Sequence, residues 1–581
     1  MGGSTTNPPS VARRVDGERG LVEEVGFLGG SERLFACCHL PTGPSRDLGV
    51  VVCSPILCDF GANYRREVSV ARRLAAAGVP VLRYHPRGTG HSDGARTDLT
   101  LDSLVADATT VLDQARDRLG VDRLAVLATR FSALAAAEAS RGTATPLALW
   151  EPVTRPRAYV RAGLRARAVA RLASAGEPEE PEDELARQGW LDVLGIPVGR
   201  GLYDTPAGRT LAAALAGEDR PLLVVRFEDG DGDLDLGADA EVRVCPCDES
   251  WWFIPDRSAP GEEAVAATAD WFLGLPSPAA SSRGDRRQTG GDGDEHPVFL
   301  PAATGDLLGV VTVPAGPANG VAAVFLRGAG WRPSSGPRRT QVAAARRLAA
   351  HGFHALRFSY HGIAESGGES DEIVRLDRPY VADTRAAVDW AAGEGMRTVL
   401  VGNCFGARTA LATAAKVPDA VAGLVLSVPP VHDFEVVRRL DRRPLGHFAR
   451  RLRPGHVVAV LRDRTRRRAL GRTGRGLATL AGQKVRPRRP GGPEWVSRRF
   501  LGHVEAAAER RIPMLFVFGE EDRYHEDFVR ARDHELGRVL DRAGDLVTIA
   551  VVPGRVHGLT SVATQQATLD AIEEWVLAAC G

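Results

Sequence analysis

One stretch of this chain occurs twice, and that limits the folds open to it more than any other feature. Arg72-Arg73-Leu74-Ala75-Ala76-Ala77-Gly78-Val79-Pro80-Val81-Leu82-Arg83-Tyr84 is mirrored by Arg346-Arg347-Leu348-Ala349-Ala350-His351-Gly352-Phe353-His354-Ala355-Leu356-Arg357-Phe358. At 581 residues the chain is too long for one core, and two cores fit the usual size of a domain. In both halves apolar strand runs alternate with amphipathic helical stretches, which predicts a mostly parallel α/β sheet in each.

The offset that relates Arg72 to Arg346 also relates Arg130 to Cys404. Cys404 sits in Gly402-Asn403-Cys404-Phe405-Gly406, after the apolar run Thr398-Val399-Leu400-Val401 and before the helix-forming Ala407-Arg408-Thr409-Ala410-Leu411. A strand, a glycine-flanked nucleophile and a helix make a nucleophile elbow, with a thiol where most elbows carry a hydroxyl. A buried Cys at a tight turn is the plainer alternative. Two later stations complete a site on paper. Pro513–Phe518 reads as a strand followed by Gly519-Glu520-Glu521-Asp522, and Leu546–Val552 as a strand followed by Pro553-Gly554-Arg555-Val556-His557-Gly558. The order nucleophile, acid, histidine gives His557 the thiol proton and lets Asp522 orient the imidazole, with Glu521 as the rival acid.

The first copy lacks these groups. It has Arg130 at the elbow tip, in Ala128-Thr129-Arg130-Phe131-Ser132, and Arg is no nucleophile. Ser132 lies two residues further on, turned roughly 200° around a helix from the tip. An acid survives near Glu228-Asp229-Gly230-Asp231, whereas the histidine station falls in Pro246-Cys247-Asp248-Glu249-Ser250-Trp251-Trp252.

On these motifs, residues from about 296 onward resemble an α/β-hydrolase, and the Cys404 elbow is similar to those of dienelactone hydrolases and polyester synthases. Arg357-Phe358-Ser359-Tyr360-His361-Gly362 resembles the superfamily's strand and D-x-R-G-x-G-like turn, with Ser359 and His361 at the acidic and arginine positions. Leu326-Arg327-Gly328-Ala329-Gly330-Trp331 occupies the place of the oxyanion-hole loop, so the resemblance implies oxyanion donors at Phe405 and at Gly328 or Ala329. Trp150-Glu151-Pro152, the Arg-rich stretch after it and Asn63-Tyr64-Arg65-Arg66 are similar to hydrolases associated with exosortase systems. The fold class expected is therefore two tandem α/β-hydrolase domains, each a mostly parallel sheet flanked by helices with a cap insertion. A disordered terminus spans residues 1–19, a first domain without its chemistry 20–275, a linker 276–296 and an active domain 297–581.

Net charge is +1, so no global field draws the protein to nucleic acid or membrane. Charge is concentrated locally: residues 431–500 hold 20 Arg and Lys against 5 acids. This is the place of the cap, at about 430–503. Arg467, Arg468 and Arg488 are expected to attract an anionic carrier of the acyl group, coenzyme A or an acyl carrier protein; a solvated helical face is the alternative. No apolar run is long enough for a membrane span and no signal peptide is read at the start. Eight cysteines, several inside apolar runs, suit a reducing cytoplasm. Cys37, Cys38, Cys53 and Cys58 are expected to pack as small hydrophobes. Cys245-Pro246-Cys247 has the wrong spacing for zinc, and neither a cofactor nor a metal is expected. Thioester chemistry at Cys404, as thioesterase, acyltransferase or cyclase of a biosynthetic pathway, is the expected function. A simple esterase or dienelactone-type hydrolase, and a scaffold without catalysis, are the alternatives.

Overall fold

The computed structural model describes residues 11–30, 32–171, 179–227, 234, 236, 238–245, 261–277, 293–328, 333–370, 375–433 and 496–581. The first half builds its sheet from β1 (Val11–Asp16), β2 (Leu21–Leu28), β3 (Leu34–Pro41), β4 (Gly49–Cys53), β5 (Val81–Tyr84), β6 (Leu124–Thr129) and β7 (Leu147–Trp150). After a separate hairpin, β8 (Trp190–Val193) and β9 (Ile196–Gly199), come β10 (Leu222–Arg226) and β11 (Glu241–Val244). The strand order is β1-β2-β3-β5-β4-β6-β7-β10-β11. The second half follows with β12 (Glu295–Leu300), β13 (Leu307–Thr312), β14 (Val321–Leu326), β15 (His354–Phe358), β16 (Arg397–Asn403), β17 (Val421–Ser427), β18 (Met514–Gly519) and β19 (Val547–Val552). Its order is β12-β13-β15-β14-β16-β17-β18-β19. Set against β2–β11 without the hairpin, the two orders are identical: antiparallel at the start, then parallel from β5 or β15 onward.

The inner parallel strands are covered on both faces, which is why Val50–Cys53, Leu124–Ala128 and Ala322–Leu326 are unbroken apolar runs, whereas the edge strands β11 and β19 are largely exposed. Cys37, Cys38, Cys53 and Cys58 are buried in the first half, as their sequence contexts imply. The strand at residues 11–16 corrects the expected disordered terminus. It pairs with β2, and Arg14 reaches the buried Glu23 at 2.5 Å, so the alternating pattern of this short polar segment is that of an edge strand. Glu295, expected in the linker, starts β12, whereas residues 278–292 lie outside the described ones. Among the described residues no helix is long and apolar enough to cross a membrane.

The two halves share buried surface. Phe60, Tyr64 and Val68, on the helix Asp59–Ala76, belong to the core of the second half. Val25, Phe27, Phe35 and Cys37 pack with Leu308 and Val310. The polar contacts are reciprocal. Register pairs Cys37 with Arg83 and Val310 with Arg357, so the two arginines are equivalent. Arg83 donates to Glu365 of the other half at 2.5 Å, and Arg357 lies 3.2 Å from Nδ1 of His91 in the first half. His91 and Glu365 are themselves equivalent, since the next residues, Ser92 and Ser366, make the same bonds to the carbonyls of His85 and Ser359. This is the arrangement of an isologous dimer written on one chain.

His85 and His91 are buried between the halves, and burial first, then Arg83 for His85 and Arg357 for His91, pushes both well below their ordinary value of 6.5. Arg339 faces both rings, and Arg346 faces His91. The unfolded chain binds more protons than the folded one once pH falls below about 6.5, so stability is full above that value and declines as pH drops. Glu295 adds the same sign lower down. Burial opposes its charge, but Arg357 and Arg346 prevail and hold it at about 2 against an ordinary 4.5. Each histidine is expected to cost about 1.4 kcal/mol on going from pH 7.5 to about 5.5. The urea midpoint should fall over that interval; an unchanged midpoint contradicts neutral, buried imidazoles.

Candidate active site

The elbow forms where it is expected. β16 ends at Asn403, Cys404 takes φ 52° and ψ −110°, and the helix Phe405–Ala414 follows at once. Positive φ is costly for a residue with a Cβ, and such strain is typical of nucleophile positions. The turn is held by Cys404 N–H donating to the Ser427 carbonyl at 2.9 Å and Ala407 N–H to the Cys404 carbonyl at 3.1 Å. The flanking glycines serve close approach. A Cβ on Gly402 would strike the backbone of Gly406 and Ala407, and one on Gly406 the carbonyls of Leu326 and Arg327. The Cys404 side chain is half-buried.

The loop after β14 comes up beside the elbow. A Cβ built on Gly328 would lie 4.0 Å from that of Cys404 and 3.5 Å from the Asn403 carbonyl, so Gly328 and Phe405 flank the thiol. Ala329 lies outside the described residues. Arg327 turns inward, and burial pushes its guanidinium down to about 10. Tyr360 Oη donates to the Arg327 carbonyl at 3.3 Å, and the rings of Tyr360, Tyr380 and Phe405 pack edge to face beneath the elbow. These aromatic supports had no motif to announce them.

The turn after β15, a degraded match in sequence, is intact in structure. His361 places its N–H and Nδ1 on Asp383 Oδ2 at 2.8 and 2.7 Å. In the first half Arg87 uses its N–H and guanidinium on Asp107 in the same way.

Asp522 follows β18 and is 2% exposed. Its carboxylate accepts N–H groups from Gly519 at 2.9 Å, Val556 at 2.8 Å and His557 at 3.1 Å. Glu521 is exposed and faces Arg555 at 3.7 Å, so Asp522 is the acid that meets the histidine loop. The exposed His557 ring packs on Tyr524 with centroids 4.8 Å apart. Cys404, Asp522 and His557 all follow the carboxyl ends of parallel strands, β16, β18 and β19, where ligands bind in open α/β sheets. Arg408, on the elbow helix, is buried and donates to the carbonyls of Pro430 and His432 and to Ser497. It thus ties Pro430 and His432 to Ser497; residues 434–495, with Arg467, Arg468 and Arg488, lie outside the described ones.

In the first half the same elbow is present with Arg130 at its tip. Arg130 keeps φ at 56°, and its guanidinium is held by Asp59 at 3.2 Å and the Glu151 carbonyl at 3.2 Å. Tyr159 donates to the same carboxylate of Asp59 at 2.9 Å. Ser132 is buried and donates to the Ser54 carbonyl at 2.8 Å, which commits its hydroxyl to the loop after β4. The segments expected to hold this half's acid and histidine stations lie outside the described residues.

Cys37, His39 and Glu365 are the candidate metal ligands among the described residues, with ligand atoms within 4.8 Å of one another. Glu365 already accepts from Arg83 and from Tyr64 Oη at 3.0 Å, and His39 Nδ1 lies 3.1 Å from Glu23. A divalent cation would have to displace the Arg83 guanidinium, so the cluster fits a buried charge network better than a metal centre.

Residues 338–561 match the family described as serine aminopeptidase, S33. Similar solved structures include an alpha-beta serine hydrolase homologue from Coxiella burnetii, 16% identical over 49% of this chain and 97% of the other, with TM-score 0.31. Est1E from Butyrivibrio proteoclasticus, with ferulic acid bound, is 16% identical over 48% of this chain and 98% of its own, with TM-score 0.31. A dienelactone hydrolase from Anabaena variabilis is 14% identical over 49% and 97%, with TM-score 0.30. A comparison with curated proteins finds no match. The strand order and the elbow establish the fold: a mostly parallel sheet of α/β-hydrolase type, built twice.

Proposed function

We propose that the second half is a Cys-nucleophile acyl-transfer enzyme and that the first half carries no chemistry of its own. The observation that carries this is Cys404 at the strained tip of the elbow, beside Gly328, with Asp522 bound to the backbone of the histidine loop. The matching family is described as a serine enzyme, and here the elbow residue is Cys.

The reaction runs through an acyl-Cys404 thioester. His557 takes the thiol proton as the sulfur attacks an activated carbonyl, and Asp522 stabilises the imidazolium. The N–H groups of Phe405 and Gly328 hold the oxyanion, a contribution of about 3 kcal/mol per donor in sites of this type. Collapse of the tetrahedral intermediate breaks the bond to the leaving group, which departs with the proton from His557. The acyl group then passes to water, an alcohol or an amine, with His557 again removing the proton of the acceptor. A thioester substrate makes the first exchange thiol for thiol, and the acyl-Cys stays open to aminolysis and alcoholysis.

The basic sequence of residues 434–495 supports its reading as the place for an anionic carrier such as coenzyme A or an acyl carrier protein. KM for a coenzyme A thioester is expected to rise with salt, because screening shortens the reach of the arginines to about 10 Å at 0.1 M. A neutral short-chain thioester should respond far less. Equal responses make these arginines a solvated face, and faster turnover of oxygen esters than of thioesters favours a plain esterase.

A further inference from the structure

The first half places one hairpin against the chain that follows His557 in the second. β8 and β9 lie between β7 and β10, the same interval that holds the basic segment between β17 and β18 in the other half. Their turn, Leu194-Gly195, is built for contact: both residues have positive φ, and a Cβ on Gly195 would run into the Leu559 carbonyl. Leu559 lies two residues after His557, in the loop between β19 and the helix Val562–Cys580. Asp192 Oδ2 accepts the Val562 N–H at 2.8 Å, at the start of that helix, and Asp192 Oδ1 accepts the Gly195 N–H at 2.7 Å. Gln565 Nε2 donates to the carbonyls of Gly195 at 2.6 Å and Leu559 at 2.7 Å.

The same turn is held from a second direction. Arg338 Nε, just before the helix Thr340–Ala350, donates to the Leu194 carbonyl at 2.9 Å. Nearby, Ser334 Oγ lies 3.2 Å from Nε2 of His91, and Arg339 donates to the carbonyls of Gly90 and Gly94 at 3.1 and 2.8 Å. Two adjacent residues of one half therefore meet two separate segments of the other.

We infer that the β8–β9 turn is a positioning element: with Leu194 held by Arg338, Asp192 and Gly195 fix the loop that carries His557. The first half is then retained as a built-in partner of the active half. Asp192, Arg338 and Gln565 are positioning residues, and none of them touches the reacting atoms. This rests on the reading of Cys404 and His557 as a pair.

The test uses the full chain with Asp192→Ala, Asp192→Asn and Gln565→Met. One readout is hydrogen exchange of the amides from His557 to Val562; the other is kcat against KM for an activated thioester. Asp192→Ala is expected to speed exchange of the loop and to lower kcat about tenfold with KM little changed. Asp192→Asn keeps one acceptor oxygen and should fall between wild type and Ala. Gln565→Met removes the donor that joins Gly195 to Leu559 and should act the same way, which covers the case in which Asp192→Ala does not fold. Unchanged exchange in Asp192→Ala, or wild-type kcat in Asp192→Ala and Gln565→Met, overturns the inference. If Cys404→Ala turns the thioester over at the wild-type rate, the acyl-transfer reading fails, and the exchange result alone then decides whether the turn orders the loop.

Discussion

Cys404→Ala is expected to lower turnover of an activated thioester by at least about a thousandfold, because removing a nucleophile leaves only binding and the oxyanion donors. The folded state should survive. The Cβ remains, the positive φ is unchanged in its demands, and the bonds that shape the elbow are backbone bonds from Cys404 to Ser427 and from Ala407 to Cys404. Cys404→Ser should keep little activity, since a hydroxyl gives up its proton to His557 far less readily than a thiol does and is the weaker nucleophile. Turnover by Cys404→Ala at the wild-type rate, measured with thioester and oxygen ester alike, would remove the nucleophile from the scheme.

Glu365→Ala should be the most destabilising single change at the contact between the halves. Arg83 is 2% exposed and donates to Glu365 at 2.5 Å; its next carboxylate, Glu67, stands 3.7 Å away. Losing Glu365 strands a buried guanidinium, at a cost of about 3–5 kcal/mol, and leaves Tyr64 Oη only the His85 ring at 3.2 Å. Pairing Glu365→Leu with Arg83→Met removes both charges and should recover most of that loss, because a buried ion pair is often replaceable by apolar groups of similar volume. Urea unfolding of the three chains measures both effects. A single-variant loss below about 1 kcal/mol, the range of an exposed pair, would mean that water reaches Arg83 and that the halves do not seal as described.

Much of this architecture was legible because it rests on short-range rules. Parallel strands buried on both faces must be apolar throughout, so the runs before Cys404 and Asp522 announced themselves, and the offset that relates Arg72 to Arg346 led from Cys404 back to Arg130. The strand before His557 is an exposed edge that is apolar all the same. The N-terminal strand was missed because residues 11–16 do not alternate in polarity: Ala12, Arg14 and Asp16 are buried while Val15 is exposed, a pattern that only pairing with β2 makes readable. His361 looked like decay of a motif, yet it satisfies Asp383 as Arg87 satisfies Asp107, since both side chains offer a donor at that place. The reciprocal contacts were out of reach of sequence. Arg83 and Arg357 are equivalent, but each meets the loop of the opposite half, and no spacing along the chain encodes which half a side chain faces. Leu194 and Gly195 escaped for the same reason: their partners, Arg338 and Gln565, belong to the other half.

The most direct test is to catch the acyl group on the sulfur. The full chain is mixed with an activated thioester, quenched in acid and weighed intact, then digested to locate the added mass. One acyl group on the peptide containing Cys404 is the expected result, absent from Cys404→Ala and accumulating in His557→Ala when the acyl donor is reactive enough to load without a base. No adduct on Cys404 in any of these chains while turnover continues, or an adduct confined to another residue such as Ser132, would contradict the account.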